Sequence, residues 1–445
     1  MAKVLKPTTH AGSAAEAASA FDDLIASRQA NVGIVGLGYA GLPLAIAFAD
    51  AGFGVTGLDL NEERVAAVRA HESYLVDVPA ERYENLDGEL SATSDYAAVR
   101  ELDALTICVP TPLSKTRTPD ISFVVAAAES VAANLKPGLL VVLQSTTYPG
   151  TTEEIVLPIL EKTGAKVGHD VFLGYAPERV DPGNERFTIK TTPKLVAGVT
   201  EECLRRTQLL YRQIVDTVVP VSRPMVAETA KLHENTFRAV NIALANELAL
   251  ICDRLGISPW EVIEAAATKP FAFLPHYPGP GLGGDCIPVV PQFLAARVRE
   301  YGYSPRLIDA AHEINTSMPA FVVGKVGDAL NEDGRPVKNS LILLLGMAYK
   351  ADVHDTRESP SLEVMRLLLA RGGDVRYCDP WVPYIELDDR RHESVPWSRE
   401  EVEAADCVVM LTNHREFSDE PLWDAAARIV DTRNVVPDGP TVHRI

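Results

Sequence analysis

Val32-Gly-Ile-Val-Gly36-Leu-Gly38-Tyr39-Ala-Gly41-Leu-Pro-Leu-Ala45 is the stretch whose reading decides the fold. An apolar run of strand length enters a GxGxxG turn and an Ala-rich helical stretch leaves it, the join of strand, phosphate loop and helix N-terminus found in dinucleotide-binding units. Gly36 permits the tight turn, Gly38 lets the backbone approach a pyrophosphate, and Gly41 allows the helix to pack closely. The next apolar run, Val55 to Leu58, ends at Asp59, 23 residues after Gly36. An acid there grips a ribose 2′-hydroxyl and repels a 2′-phosphate, so the spacing predicts NAD rather than NADP. A Gly-rich turn in an unrelated α/β protein would not need strand, helix and acid in this register.

Outward from that stretch, apolar runs of strand length alternate with helical ones. Leu105 to Val109, Leu139 to Gln144 and Val171 to Gly174 join the first two as strands, which implies a parallel sheet with crossover helices. Upstream, residues 1 to 12 read as disordered. Ala14 to Ser27 reads as a short surface helix with Phe21, Leu24 and Ile25 on one face. Downstream, Met225 to Leu255 reads as one long amphipathic helix ending at Gly256, placed between domains and at a subunit contact. A second alternating series follows, with Leu341 to Leu345, Asp374 to Tyr377, Cys407 to Leu411 and Arg428 to Asp431 as strands. The expected fold class is α/β, with two Rossmann-like doubly wound domains joined by a central long-helix region.

Composition bounds the function. The 445 residues exceed one ordinary core, and 47% hydrophobic with 23% charged residues describes a globular chain. No apolar run approaches the roughly 20 residues that span a membrane, and no secretory signal is evident. A cytoplasmic location is expected. A net charge of -19 excludes nucleic acid as a partner and requires any anion site to be built locally from backbone amides and a few Lys or Arg. The six cysteines lie far apart without a CxxC pair, which argues against a zinc site or a disulfide framework. No metal is expected.

Two segments offer chemistry. Pro278-Gly-Pro-Gly-Leu-Gly283-Gly-Asp285-Cys286-Ile-Pro presents a cysteine on a Gly/Pro loop, where backbone amides can activate a thiol. The residues alone leave Cys286 between a packed thiol and a nucleophile. In Ala227-Glu-Thr-Ala-Lys231-Leu-His-Glu-Asn235, Lys231 and Asn235 fall four apart on one helical face, a cation and an amide suited to a developing oxyanion or simply to a solvated surface.

Taken together the segments resemble the UDP-glucose/GDP-mannose dehydrogenase family from about Phe21 to Arg433. Gly36 to Ala45, Val109-Pro-Thr-Pro, Ser145-Thr-Thr-Tyr-Pro-Gly-Thr, Ala176-Pro-Glu-Arg-Val-Asp-Pro-Gly-Asn, the Lys231/Asn235 helix, the Cys286 loop and Gly346-Met-Ala-Tyr-Lys350 recur in the family's order. The resemblance implies an N-terminal extension over 1–28, an NAD domain over 29–221, a central helical dimerisation region carrying the cysteine loop over 222–320, and a nucleotide-sugar-binding α/β domain over 321–445. It implies Asp59 and Arg64 on the adenosine ribose, with Tyr39, Thr111, Thr146 and Arg357 also contacting NAD. Thr146, Glu178, Lys231, Asn235 and Cys286 match the catalytic cluster, and Lys231, Asn235, Gly283, Lys350 and Arg433 the substrate site. The implied reaction oxidises a sugar C6 hydroxyl to the uronate, a step of polysaccharide biosynthesis, by two hydride transfers through a Cys286 thiohemiacetal and thioester, in a homodimer. The wording Pro-Glu-Arg179-Val, with Thr268-Lys-Pro-Phe and Tyr277-Pro-Gly-Pro-Gly, is closer to members acting on UDP-N-acetylhexosamines, which adds Arg179 and Tyr277 as substrate contacts.

One position departs from the family pattern. An aspartate follows the catalytic cysteine by four residues in the family, and Val290 stands there in this chain. Either Asp285 supplies the carboxylate, or hydrolysis of the covalent intermediate is slow, or the protein binds a nucleotide sugar without efficient turnover. The first-ranked expectation is full oxidation at reduced rate.

Overall fold

Four-residue runs such as Ala-Leu-Thr-Ile and Leu-Val-Val-Leu are buried throughout, as strands covered on both faces by helices must be. The computed structural model describes residues 20–75, 78–84, 86, 88–114, 118–180, 186–419 and 421–445. The chain divides into two compact units, Met1–Leu232 and His233–Ile445. The first contains β1 (Asn31–Val35), β2 (Gly54–Leu58), β3 (Leu90–Thr93), β4 (Ala104–Ile107), β5 (Leu140–Leu143), β6 (Phe172–Tyr175), β7 (Lys194–Gly198) and β8 (Val218–Pro220). They form one sheet in the order β3-β2-β1-β4-β5-β6-β7-β8. All neighbours are parallel except β6 with β7. The order reverses between β1 and β4, so a crevice opens at their carboxyl ends.

The second unit contains β9 (Leu341–Leu345), β10 (Asp374–Cys378), the hairpin β11 (Tyr384–Leu387) and β12 (Arg390–Glu393), β13 (Cys407–Met410), β14 (Ile429–Asp431) and β15 (Val442–Arg444). Its parallel sheet runs β10-β9-β13-β14-β15. This is the other doubly wound order, with its switch point between β9 and β13. Both domains of the expected fold class are therefore present. The helix Pro224–Leu255 crosses from the first unit into the second as one continuous element.

The described part of the helix before β1 lies on the surface with the expected face turned inward: Phe21 is 4% exposed and Ile25 fully buried, whereas Ala20, Asp23, Ala26 and Ser27 are exposed. Phe21 packs under the Arg206 guanidinium, whose carbon lies 4.7 Å from its ring and 3.6 Å from that of Phe172. Residues 1–19, including the start of that helix and the segment read as disordered, lie outside the described residues. A 27-residue helix, Arg306–Glu332, spans position 320/321, with buried Asn315, Met318, Val322, Val326 and Ala329 in one stripe. Beyond the expected strands, β3, β7, β8, β15 and the hairpin are additional ones. The hairpin turns on Asp388 and Asp389, both at positive φ, in a run too charged to read as apolar strand.

Phe21→Ala is expected to cost about 3 kcal/mol, the usual loss for a buried aromatic truncated in a packed setting. Urea unfolding should show a lower midpoint at unchanged slope, and an unchanged midpoint would detach this helix from the first core.

Candidate active site

The glycine turn of the first unit divides its labour. Gly36 has φ +92°, and a Cβ there would sit 2.8 Å from the Cys108 carbonyl oxygen. At Gly41 a Cβ would fall 1.8 Å from the Gly36 oxygen, whereas at Gly38 it would meet nothing within 4 Å. Two glycines are thus demanded by the protein's own packing, and the third leaves open space. The helix Gly41–Asp50 begins with neither a side-chain cap nor an acid in its first turn, so its amides remain available to an anion. Asp59 accepts from the Leu37 N–H at 2.7 Å and the Asn61 N–H at 2.9 Å, and Arg64 Nη1 lies 3.4 Å from it. A carboxylate retains acceptor sites beyond those two bonds. Tyr39 is half exposed on the turn, and across the switch point Thr111 donates to the Thr146 carbonyl at 2.7 Å. A pyrophosphate over Gly38 and a ribose diol at Asp59 fit this cradle.

Beyond β6, the half-buried Glu178 gathers a cluster of buried partners. Its Oε1 accepts from the Arg179 and Val180 amides, both at 2.8 Å, and its Oε2 from Lys194 and Gln144, both at 3.1 Å. Lys194 also donates to Gln144 Oε1, which accepts from Tyr211 as well. Burial pushes the Glu178 carboxyl up, but Lys194 and the two amides outweigh it and hold the group below its usual 4.5. Glu178 is therefore an ionised acceptor at neutral pH, not a proton donor. Arg179 Nη1 donates to the Pro193 carbonyl at 2.7 Å, and 181–184 of the same motif lie outside the described residues.

The long helix is fixed to the first sheet by Glu228, which is fully buried and accepts from the Gly150 N–H at 2.6 Å and from the Thr152 N–H and hydroxyl at 2.9 and 2.6 Å. One turn on, Lys231 is 9% exposed and Asn235 5%, so the shared face is buried rather than solvated. Asn235 Nδ2 is a buried donor with no hydrogen-bond partner among the described residues. Native proteins seldom leave such a donor unmatched without a ligand or water to receive it.

In the second unit the cysteine loop packs against two of the expected substrate segments. A Cβ at Gly283 would lie 2.5 Å from Tyr349 Cβ, one at Gly284 2.9 Å from the Tyr349 ring, and one at Gly279 2.9 Å from Arg433 Nη1. Asn246 anchors the loop from the long helix by accepting the Gly279 N–H at 3.0 Å, and Asn246 in turn donates to Asn315 at 2.9 Å. Tyr277 stacks on Trp260 with ring centres 5.5 Å apart. Of the six thiols only Cys286 is exposed. Burial pushes Cys108, Cys378 and Cys407 up to about 12, leaving them protonated and inert.

Arg433 donates through Nε to the Leu411 carbonyl at 2.6 Å, and burial draws it down to about 10, still charged at neutral pH. It follows β14 as Lys350 follows β9, so two cations stand at the carboxyl edge of this sheet. Asp285 pairs with Arg357, whose guanidinium also bonds both oxygens of Asp355. The carboxylate next to Cys286 is thus engaged by an arginine. Val290 is 3% exposed at the start of the helix Val290–Glu300, with its amide bonded to the Cys286 carbonyl at 2.9 Å.

Models of the UDP-glucose/GDP-mannose dehydrogenase family match three parts of the chain: its NAD binding domain at residues 30–215, its central domain at 225–317 and its UDP binding domain at 343–438. The chain is 35% identical over 420 residues to UDP-N-acetyl-D-mannosamine dehydrogenase of Pyrococcus horikoshii, covering 92% of this chain and 97% of that one. It is 36% identical over 391 residues to UDP-N-acetyl-D-glucosamine 6-dehydrogenase of Pseudomonas aeruginosa, covering 87% and 91%. The solved structure of the Pyrococcus horikoshii UDP-D-ManNAc dehydrogenase superposes with a TM-score of 0.85 at 33% identity, over 93% of this chain and 99% of that one. This chain belongs to the UDP-glucose/GDP-mannose dehydrogenase family.

Lys194, Gln144 and Glu228 are not legible in the sequence as parts of these clusters. Each is a polar residue inside or beside an apolar run, and that misfit was the available signal. Lys194 yields a test. A carboxyl held below its usual value contributes stability above that value and loses it as pH falls through the lower folded one. Lys194→Met leaves the half-buried Glu178 without its cation, at a cost of about 1–2 kcal/mol near neutrality. In urea titrations the gap to wild type should narrow as pH falls from 7 towards 4. A gap independent of pH would mean that Lys194 does not govern Glu178.

Proposed function

We propose that this chain oxidises the C6 hydroxyl of a nucleotide sugar to the uronate, with NAD as oxidant and Cys286 as nucleophile. The observation that carries the reading is the exposed Cys286 on a glycine loop packed against Tyr349 and Arg433, in the unit that contains the UDP binding domain. Two NAD molecules, bound one after the other, would each accept one hydride, the first from the alcohol and the second from the thiohemiacetal. Water organised by Thr146 and its neighbours takes the C6 hydroxyl proton. The Cys286 sulfur adds to the aldehyde carbon, and Lys231 with Asn235 Nδ2 stabilises the resulting oxyanion. Oxidation of the thiohemiacetal gives a thioester. Water then cleaves its C–S bond, releasing carboxylate and thiol. Glu178, ionised and already accepting four hydrogen bonds, holds Lys194, Gln144 and the Arg179 and Val180 amides in place.

A UDP-N-acetylhexosamine is the proposed substrate, supported by the motif wording and by the names of the two relatives above. Lys350 and Arg433 suit its diphosphate. Arg64, Thr111 and Arg357 are proposed as NAD contacts, and Arg179, Tyr277 and Gly283 as substrate contacts. Thioester hydrolysis is the slow step, because Val290 brings a buried apolar side chain where the family has a carboxylate and Asp285 is committed to Arg357.

Assembly follows from the long helix. Phe237, Leu244, Ile251 and Leu255 are exposed by 46%, 63%, 47% and 65%, three of them at seven-residue spacing. A second copy of the chain would cover this stripe. Six free thiols suit the cytoplasm, and no helix among the described residues is long and apolar enough to cross a membrane.

Incubation with NAD and a panel of UDP-, GDP- and dTDP-sugars should give two NADH per sugar consumed. A ratio of one would stop the reaction at the aldehyde, and no NADH from any sugar would leave only a binding protein. Rapid mixing should show a burst of NADH before slow turnover, with sugar trapped on Cys286 by intact mass. Val290→Asp should raise the steady rate about tenfold or more, and a rate unchanged by that substitution would refute slow hydrolysis. Leu244→Glu should convert a dimer to monomer in sedimentation, whereas a wild-type monomer would remove the assembly proposal.

A further inference from the structure

In the second sheet, the loops after β9 and β13 flank the switch point. The first, Gly346–Asp352, carries Lys350. What holds its shape is a buried pair contributed by other strands. Asp379, at the end of β10, is 2% exposed, and its Oδ2 accepts from the Met347 N–H at 2.6 Å and the Ala348 N–H at 2.9 Å. The same oxygen lies 3.1 Å from Nε2 of His414, a fully buried residue just beyond β13. The other oxygen accepts from the Trp381 and Val382 amides. On the far side of the ring, His414 Nδ1 lies 3.0 Å from the Asp352 backbone nitrogen. An amide can only donate, so Nδ1 accepts and the ring proton sits on Nε2, donated to Asp379.

Asp352 sits at φ +59°, a left-handed conformation that Asp adopts more readily than most residues with a side chain and that ends the loop in a tight turn. Its amide is held by His414, and its carboxylate accepts the Arg415 N–H at 3.0 Å. Thr412 completes the bracing by donating to the Ala348 carbonyl at 2.7 Å. Residues before and after Lys350 are therefore tied to one pair of side chains. Burial pushes Asp379 up, but His414 and the loop amides outweigh it and keep the group ionised.

We propose that Asp379 and His414 are positioning residues for the nucleotide, fixing the Gly346–Asp352 loop so that Lys350 meets the diphosphate. This rests on the reading of Lys350 as a substrate contact. Two substitutions separate the two hydrogen bonds of the imidazole. Glutamine places its amide near Nε2 and keeps the donor to Asp379, but offers nothing at Nδ1. Asparagine keeps an acceptor near Nδ1 and gives up the donor. Calorimetry on the full chain with UDP as probe, together with initial rates, reads the difference.

His414→Gln should weaken UDP binding by about five- to tenfold, the effect of one lost hydrogen bond. It should raise KM for the sugar nucleotide in parallel, with kcat and KM for NAD within about twofold of wild type. His414→Asn should recover most of the affinity, because Asp379 retains four amide donors. Unchanged UDP affinity in His414→Gln overturns the proposal. So does equal loss in both variants accompanied by a raised KM for NAD, which would mark simple packing. Wild-type protein that fails to bind UDP overturns the substrate reading itself, and this inference with it. If the variants do not fold, hydrogen exchange on the native chain decides. The Met347, Ala348 and Asp352 amides should be protected and should slow further with UDP, and exchange at open-loop rates insensitive to UDP would sink the idea.

Discussion

Backbone amides exposed at the ends of parallel strands must find acceptors, and in both units a carboxylate just beyond or at the end of a strand collects them. Asp59 takes the Leu37 and Asn61 amides, Glu178 those of Arg179 and Val180, and Asp379 those of Met347, Ala348, Trp381 and Val382. Asp431 does the same for Arg433 and Val436 at 2.9 and 2.8 Å. Each carboxylate makes charge-assisted bonds to a loop that would otherwise be poorly determined. Within each unit, two such acids fix the loops that follow the strands.

This arrangement reconciles an acidic chain with anionic ligands. Part of the net charge of -19 is turned inward onto amides or paired with Lys194 and His414, where it repels nothing. Groups suited to phosphates are placed locally: the uncapped start of the Gly41–Asp50 helix in the first unit, and Lys350 and Arg433 after β9 and β14 in the second. The thiols divide in a similar way. Burial keeps Cys108, Cys378 and Cys407 protonated, and the loop geometry brings Cys286 alone to the surface.

Most of the fold could be read from the sequence because its strands are fully buried apolar runs. β9 begins and ends where the apolar pattern does, and the long helix differs by one residue at its start. What escaped is short or polar: β8 has three residues, β12 is Arg-Arg-His-Glu, and β7 opens on a lysine. The glycine turn and Asp59 were legible because spacing alone fixes them. Lys194, Glu228, Asp379 and His414 were not, since their partners lie tens of residues away and only the tertiary fold brings them into hydrogen-bonding range. The family resemblance points to candidate reacting groups but not to the residues that pack around them.

The Pro224–Leu255 helix carries Lys231 and Asn235 on a buried face and, further along, Leu244, Ile251 and Leu255 on an exposed one. An α-helix turns about 100° per residue, so the two faces share a single phase. A one-residue insertion between Asn235 and Leu244 would leave both patches chemically intact and swing one against the other by that angle. The length of this segment sets the angle between the two patches as firmly as its composition sets their chemistry.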